Sequence, residues 1–306
     1  MQAVQYCFMQ IEQLRAFATA IDLGTLDAAA RALALTPSAM SQRLRALETS
    51  AGAVLLERTT PVRPTASGEI VLRLARQVLL AEAETRQALA GGVPEAPAVL
   101  HVVVNADSLA TWFPGVLAEA TAWPDAVLDL TVADQAVAAE HLTTGRAMAA
   151  ITSAETPASG CRATPLGVMR YVCLARADLG AELAGMPMVN FGPDDTLQND
   201  FLARHGLSLP TRVTRVPSSQ GFLTAVEAGL GWGMVPELQA GDSDADLRPL
   251  TNDPVTDVPL FLHRWKLSSG RLDRLCAAIE KWADVHLAKH PATTGGRSRV
   301  RLASLS

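Results

Sequence analysis

The chain has 306 residues, 49% of them hydrophobic, and its 26 Lys and Arg against 31 Asp and Glu give a net charge of −5. This length allows two or three domains with apolar cores, and the acidic balance means that a nucleic-acid surface would have to be local. No apolar run approaches the roughly 20 residues that span a bilayer. The first nine residues lack the charged start and the apolar core of a secretory signal, so we expect a cytoplasmic protein without membrane contact.

The first fifty residues predict three short helices. Residues 10–22 carry apolar side chains on one face, and Leu23-Gly24 ends that helix because glycine accepts the left-handed cap conformation. A second helix is expected over residues 26–33. A third begins at Thr36, whose hydroxyl can cap a helix with Pro37 as its first residue. Two helices, a tight turn and a third polar-faced helix predict a helix-turn-helix.

The third helix has the side chains of a DNA-recognition helix. Its apolar stripe of Met40, Leu44 and Leu47 is narrow, and the opposite face carries hydroxyls, an amide and guanidiniums. These groups reach phosphate oxygens and base edges in a major groove. The charge count alone would favour an ordinary solvated helix face.

The hairpin after this helix is kept extended by prolines and predicts a wing. We expect Ser38, Gln42 and Arg43 to approach bases, and the remaining polar groups to contact the DNA backbone. The predicted DNA contacts are Thr36, Pro37, Ser38, Ser41, Gln42, Arg43, Arg45, Arg58, Arg63 and Thr65.

A long helix from about Glu69 to Leu89 follows the hairpin. Its seven-residue repeat consists of Val71, Leu74, Val78, Ala81, Thr85 and Ala88. Such a helix needs a partner. The stripe could pack on the body of the chain, but a second copy of the same helix is the favoured interpretation and predicts a dimer or a tetramer. Glycines and prolines at residues 91–97 predict a linker.

The order and spacing of three segments resemble the LysR-type transcriptional regulators. The segments are Ala28-Ala29-Ala30, residues 38–48 and the corner at residues 63–68. The resemblance implies an N-terminal all-α winged helix-turn-helix with a long linker helix, and a C-terminal α/β two-lobed effector domain of the type 2 periplasmic-binding-protein kind. It also implies a double-stranded DNA operator and RNA polymerase as partners. The expected division is 9–66 DNA-binding domain, 67–97 linker and dimerisation helix, 98–163 with 266–290 lobe I, 164–265 lobe II, and 291–306 disordered tail.

The residues after the linker alternate short strands and helices, which indicates mainly parallel sheets with helices on both faces. Two such series with strands crossing between them would form a cleft. Strands are expected at 99–104, 127–132, 147–152, 169–174, 188–191, 212–216 and 233–235, with a return crossing at 260–264. Helices are expected at 109–122, 136–144, 196–205, 221–228 and 271–287.

The predicted cleft has polar groups where strands end. Ligands of parallel sheets bind beyond the carboxyl ends of strands, near helix N-termini. Hydroxyls and free amides there suit an α-carboxylate, and aspartates suit a cation; each hydroxyl by itself is better explained as a helix cap. The predicted effector contacts are Asn105, Ala106, Asp107, Ser108, Trp112, Asp134, Thr152, Ser218, Ser219, Gln220 and Gly233.

Residues 105–112 and 229–236, with Arg264-Trp265, are similar to the LysR branch that regulates basic amino-acid export, the LysG/ArgP type. The similarity implies lysine or arginine as effector, no other cofactor, and an exporter gene as target. Gln220 and Ala133 stand where this branch usually has Glu. If either position faces the cleft, we expect a cation to be held less strongly.

Two other classes of protein are less consistent with the sequence. A transport-type solute-binding protein would not need the helix-turn-helix, and an enzyme would need a catalytic motif. We find no G-x-S-x-G, HExxH or P-loop, and no G-x-G-x-x-G placed after a strand. Cys161 and Cys173 are expected to be buried thiols, with a redox pair as the alternative. His286 and His290 are interpreted as exposed rather than metal-binding, and His263 as structural or a cleft liner.

Overall fold

The computed structural model describes residues 9–91, 97–133, 135–241 and 243–289. The predicted tail, most of the predicted glycine-proline linker, Asp134 and His290 lie outside these ranges. The helices are α1 (Ile11–Leu23), α2 (Leu26–Ala32), α3 (Pro37–Ala51), α4 (Ala66–Leu89), α5 (Ala106–Thr111), α6 (Pro114–Ala120), α7 (Gln135–Thr143), α8 (Leu197–Arg204), α9 (Ser219–Glu227), α10 (Glu237–Ala240) and α11 (Gly270–His286).

The strands are β1 (Leu56–Glu57), β2 (Arg63–Pro64), β3 (Ala98–Val104), β4 (Ala126–Val132), β5 (Ala149–Thr152), β6 (Cys161–Arg176), β7 (Met188–Asn190), β8 (Val213–Arg215), β9 (Gly233–Pro236), β10 (Leu247–Pro249) and β11 (Val255–Trp265). Within the described ranges, no helix combines the length and the apolar character needed to cross a membrane.

The first unit is the predicted winged helix-turn-helix. Leu14 and Phe17 of α1 are buried against Met40 and Leu47 of α3. Gly24 ends α1 with a φ of +71°, a conformation that glycine adopts without strain. Antiparallel pairing of β1 with β2 forms the wing. The apolar spacing and the caps therefore predicted this unit correctly, and the first strand of the wing has two residues.

The apolar residues along α4 lie in two environments, because some are buried in a core and others are exposed. Val71 is buried in the core of the DNA-binding unit, so its predicted part in self-association is wrong. The exposed apolar face of α4 instead begins one residue earlier, with Ile70 75% exposed and Leu74 42% exposed. The first turns of α4 therefore pack on the body of the chain, and self-association through the face that stays open remains a prediction.

Polar contacts at several points connect α4 to the second half of the chain. The Arg76 guanidinium is buried, pairs with Asp22 of α1 at 2.5 Å and donates to the carbonyl oxygens of Gly145 at 2.7 Å and Arg146 at 2.5 Å. Further along α4, Glu84 accepts from the Ser269 hydroxyl at 2.5 Å, at the N-terminus of α11. The DNA-binding unit is thus tied to the effector domain through one helix.

The effector domain is built on a sheet with the strand order β10-β6-β11-β5-β3-β4, with β9 paired to β6. In the first lobe, β3 runs parallel to β4 and to β5. In the second lobe, β7 and β8 form a separate parallel pair. The alternating pattern predicted the order of these strands and helices, apart from the short β10 and α10, which have too few residues to show a periodicity. The expectation of mainly parallel sheets is wrong, because β6 pairs antiparallel with β9, β10 and β11, and β11 pairs antiparallel with β5.

Both crossing strands are longer than expected. The predicted strand 169–174 is the middle of the 16-residue β6, and the predicted crossing 260–264 is part of the 11-residue β11. The two strands pair antiparallel across both lobes with a register shift at Leu260/Phe261. The predicted boundary at 163/164 falls inside β6 and the one at 265/266 falls at the end of β11, and the division into lobes at these residues stays a prediction.

Three further predictions are corrected or resolved here. The helix expected at 109–122 is broken into α5 and α6, because Pro114 has no N–H to continue the hydrogen-bond ladder. Trp112, a predicted effector contact, is a buried core residue, as are Trp232 and Trp265. Burial raises the pKa of the free Cys173 thiol to about 12, so the pair with Cys161 lacks the low-pKa thiolate of a redox site.

Candidate functional site

The exposed face of α3 carries the groups expected of a recognition helix. Ser38, Gln42 and Arg45 are exposed, and Ser41 is half-buried. The helix start is organised as predicted, with the Thr36 hydroxyl accepting from Ala39 N at 3.1 Å. A helix N-terminus with exposed hydroxyl, amide and guanidinium groups is suited to phosphates and base edges.

Besides Thr36, two more of the predicted DNA contacts have partners within the fold. Arg43 is half-buried, and its Nη1 lies 3.3 Å from Glu12 Oε2 of α1. The Thr65 hydroxyl donates to Val54 O at 2.7 Å and accepts from Gly68 N at 3.0 Å, which starts α4. Thr65 therefore positions the wing, and Arg43 would have to share its guanidinium with DNA.

The wing extends the basic surface beyond the helix. Arg58 lies just after β1 and Arg63 on β2, and both side chains are exposed. Together with α3 they give an acidic chain one local basic face, which is the electrostatic requirement for DNA contact.

The predicted base contacts and the predicted DNA-backbone contacts should respond differently to substitution. We expect Gln42→Ala to relax sequence preference, with a loss of about 1–3 kcal/mol at one base pair. Arg58→Ala should weaken binding to matched and scrambled DNA alike and flatten the salt dependence. Mobility shifts on both duplexes at several salt concentrations measure this. Equal losses on both duplexes for both variants would contradict the assignment.

The second site is a cleft of about 360 Å³ between the two lobes. Five of the predicted effector contacts line it: Asn105, Ala106, Asp107, Thr152 and Ser219. They come from the carboxyl ends of β3 and β5 in lobe I and from the first turn of α9 in lobe II. The rule that ligands bind beyond the carboxyl ends of strands, near helix N-termini, therefore selected residues of both lobes that line one cleft.

Asp107 joins the two walls of the cleft. Its Oδ2 accepts from the Tyr171 hydroxyl at 2.7 Å and its Oδ1 accepts from the Ser219 hydroxyl at 2.6 Å. Burial, with the charge of Asp107 as the next cause, raises the pKa of Tyr171 well above its usual range, so the phenol remains a donor. A lobe I carboxylate is thus held by two lobe II hydroxyls, and a change in lobe separation would have to break these bonds.

The remaining predicted contacts that the structure describes do not line the cleft. Ser108 and Trp112 are buried and bond to each other, with 3.1 Å between the indole Nε1 and the hydroxyl. Ser218 caps α9 by accepting from Gly221 N at 3.2 Å. Gly233 packs against the ring of Phe222, which a Cβ would approach to 2.6 Å. Asp134 lies outside the described residues.

Gln220 faces a different cavity, of about 730 Å³, which it lines with Thr111, Leu238 and His286. Ala133 is half-buried against the effector-domain core. Since neither position lines the cleft, the absence of Glu there does not remove a carboxylate from its walls. The orientation of α9 decides that Gln220 lines the other cavity, and the sequence pattern did not reveal that orientation.

The sequence interpretation missed much of the lobe II wall. The loop between β7 and α8 contributes Asp194 and Asp195, and α8 contributes Gln198 and Asp200. The same strand-end rule could have found them, because two aspartates follow a predicted strand and precede a predicted helix. Tyr171 gave no such signal, since it lies in the middle of a strand.

His263 is buried on β11 and does not line the cleft. Its Nε2 lies 2.7 Å from Ala154 O, to which it donates, and its Nδ1 has no partner among the described residues. Burial lowers the pKa of His263, although the bond to Ala154 opposes the shift.

We therefore expect the protein to lose stability as the pH falls from 7 to 5.5. The unfolded histidine binds a proton near pH 6.5 while the folded one stays neutral, which reduces the free energy of unfolding by at most about 1.4 kcal/mol per pH unit. Urea titrations at several pH values measure the slope of the free energy of unfolding against pH. His263→Gln, whose amide can still donate to Ala154, should show a shallower slope, and an identical slope would exclude this role.

Similarity to known proteins covers both sites. The family description "Bacterial regulatory helix-turn-helix protein, lysR family" matches residues 11–69, and "LysR substrate binding domain" matches residues 95–283. The lysine export transcriptional regulatory protein LysG of Corynebacterium efficiens is 42% identical over 273 residues, 85% of this chain and 93% of that protein. The transcriptional regulator ArgP of Pseudomonas fluorescens is 38% identical over 275 residues, 85% of this chain and 91% of that protein.

Solved structures show the same arrangement of domains. Full-length LysG of Corynebacterium glutamicum with bound effector Arg has a TM-score of 0.70 and 36% identity, covering 91% of this chain and 99% of that one. ArgP from Mycobacterium tuberculosis has a TM-score of 0.78 and 35% identity, covering 91% of this chain and 98% of that one. With a matching winged helix-turn-helix and a matching two-lobed domain, the chain belongs to the LysR family of bacterial transcriptional regulators.

Proposed function

We propose that this regulator senses a basic amino acid, lysine or arginine, and controls the gene of an amino-acid exporter. It acts in the cytoplasm on an operator in double-stranded DNA and on RNA polymerase, it needs no cofactor besides the effector, and it catalyses no reaction. The observation that carries the proposal is the chemistry of the inter-lobe cleft, taken together with relatives that are a lysine export regulator and a LysG structure with bound effector Arg.

The charge of the cleft favours a cationic ligand. Asp107, Asp194, Asp195 and Asp200 line it, and none of its described lining residues is a lysine, an arginine or a histidine. The Thr152 hydroxyl and the side-chain N–H groups of Asn105 line the cleft and can donate to the α-carboxylate, as recognition of a zwitterion requires.

A ligand that contacts both lobes would change the separation between them. An effector shifts a conformational equilibrium only by its difference in affinity between the two arrangements. Lobe I is connected to α4 through the carbonyl groups that Arg76 contacts, and α4 leads directly from the wing. Lobe closure would therefore alter the separation of two recognition helices in an oligomer, and with it the DNA bend.

The exposed face of α4 supports self-association as a dimer or a tetramer. We expect Leu74→Arg to shift the protein to smaller species, because a charge would replace an apolar contact between two copies of α4. Analytical ultracentrifugation measures the mass. Leu209→Arg, at an apolar position 58% exposed in the effector domain, is the matched control. An unchanged mass distribution for Leu74→Arg would exclude α4 as the interface.

A panel of the twenty amino acids tests the proposed effector. Lysine and arginine should raise the melting temperature of the full chain, and neutral or acidic amino acids should not. Footprints at saturating protein should then differ with and without lysine on the promoter beside the regulator's own gene. Stabilisation by an acidic amino acid, or identical footprints, would refute the proposed function.

A further inference from the structure

The carboxylates of the cleft are not equally available to a ligand. The Asp195 oxygens already accept from Phe191 N at 3.3 Å and from Leu197 N at 3.0 Å. Asp200 accepts from the Thr196 hydroxyl at 2.9 Å. Both oxygens of Asp107 accept from hydroxyls. These three carboxylates therefore have structural partners.

Asp194 differs from them. It is exposed and lines the cleft, and within the part of the chain that the structure describes it has neither a hydrogen bond nor an ion pair. A negative charge in a concave wall without basic lining residues attracts a cation, and no described residue of the fold competes for it.

Gln198 supplies a second, independent observation in the same wall. Its side chain is 1% exposed, and its Nε2 donates to Val189 O at 3.4 Å. Because a carbonyl oxygen can only accept, this bond sets the orientation of the amide. The Oε1 atom is then left without a partner among the described residues. A buried acceptor without a donor is unfavourable, and a ligand N–H would satisfy it.

We propose that Asp194 receives the side-chain cation of the effector, with Gln198 Oε1 as a second acceptor, and that this pair makes the cleft prefer basic to neutral amino acids. The inference rests on the proposed function and adds the residues that set its specificity. Carboxylate and amide oxygens together suit an ammonium or a guanidinium, both of which carry several N–H donors.

Calorimetry on the full-length protein with lysine, arginine and norleucine tests the inference. Norleucine keeps the lysine chain but lacks the terminal amine. The unsubstituted protein should bind lysine and arginine at least about tenfold more tightly than norleucine. Asp194→Asn should weaken lysine and arginine at least about tenfold and leave norleucine within about twofold, because it removes a charge-assisted contact made only to the side chain.

Two further variants keep the test decisive. Gln198→Met keeps the volume but removes the acceptor, and should weaken lysine severalfold without affecting norleucine. Asp253→Asn makes the same change as Asp194→Asn at an exposed turn away from the cleft, and should change neither affinity. Unchanged lysine affinity in Asp194→Asn overturns the inference while the proposed function stands. Equal losses of lysine and norleucine overturn it as well, since Asp194 would then serve the α-ammonium or the lobe packing. If no amino acid binds the unsubstituted protein, both fail.

Discussion

Asp107→Asn should lower the affinity for lysine by about tenfold to a hundredfold and reduce the effector-dependent change in the DNA footprint. The ionised carboxylate accepts from Tyr171 of β6 and from Ser219 of α9, and so joins lobe I to lobe II. An asparagine offers one oxygen and turns an NH₂ towards the other donor. A hydrogen bond to a charged group contributes about 1.5–3 kcal/mol, which corresponds to the expected range of affinity.

Single and double substitutions separate lobe coupling from direct ligand contact. Tyr171→Phe removes one of the two donors and should give an intermediate loss. If Asp107 acts together with Ser219, the double variant Asp107→Ala/Ser219→Ala should lose less than the sum of the two single losses, because both remove the same bond. Calorimetry with lysine and DNA footprinting provide the readouts. If Asp107→Asn binds lysine as tightly as the unsubstituted protein does, Asp107 has no part in the response to the effector.

Asp125→Ala should lower the free energy of unfolding by about 3–5 kcal/mol, because it leaves a buried charge without its partner. Arg271 is 3% exposed, and its Nε lies 3.2 Å from Asp125 Oδ2, while Arg274 contacts the other carboxylate oxygen. Arg271 Nη1 already lacks a partner among the described residues, so the guanidinium depends on this carboxylate. These side chains attach α11 to the start of β4, next to the contact of α11 with Glu84 of α4.

Urea titrations at one fixed protein concentration measure this loss, since self-association would otherwise contribute to the apparent stability. Asp178→Ala is the matched control, because its partner Arg176 forms an exposed pair and such pairs contribute little. Unfolding midpoints that shift equally in both variants would contradict the assignment of a buried network to Asp125.

Local chemistry in the sequence was enough to predict the recognition helix. Thr36 and Pro37 start it, and the spacing of Met40, Leu44 and Leu47 orients it, because capping and helical periodicity act over only a few residues. The cleft residues Asn105 and Asp107 were predicted by a similar argument, since parallel strands present their carboxyl ends at one edge of a sheet. Both inferences needed only the neighbours along the chain.

The sequence by itself thus determined the order of the elements, the polar face of α3 and the strand ends that form the cleft. Only the tertiary structure decided which side chains on those elements reach the cleft. Gln220 turns towards another cavity, Val71 enters the core of the DNA-binding unit, and Asp194 lines the cleft with Gln198 without a partner among the described residues. These outcomes depend on how helices rotate and pack against partners far away in the chain. Packing of that kind is a property of the assembled core and has no counterpart in a local pattern.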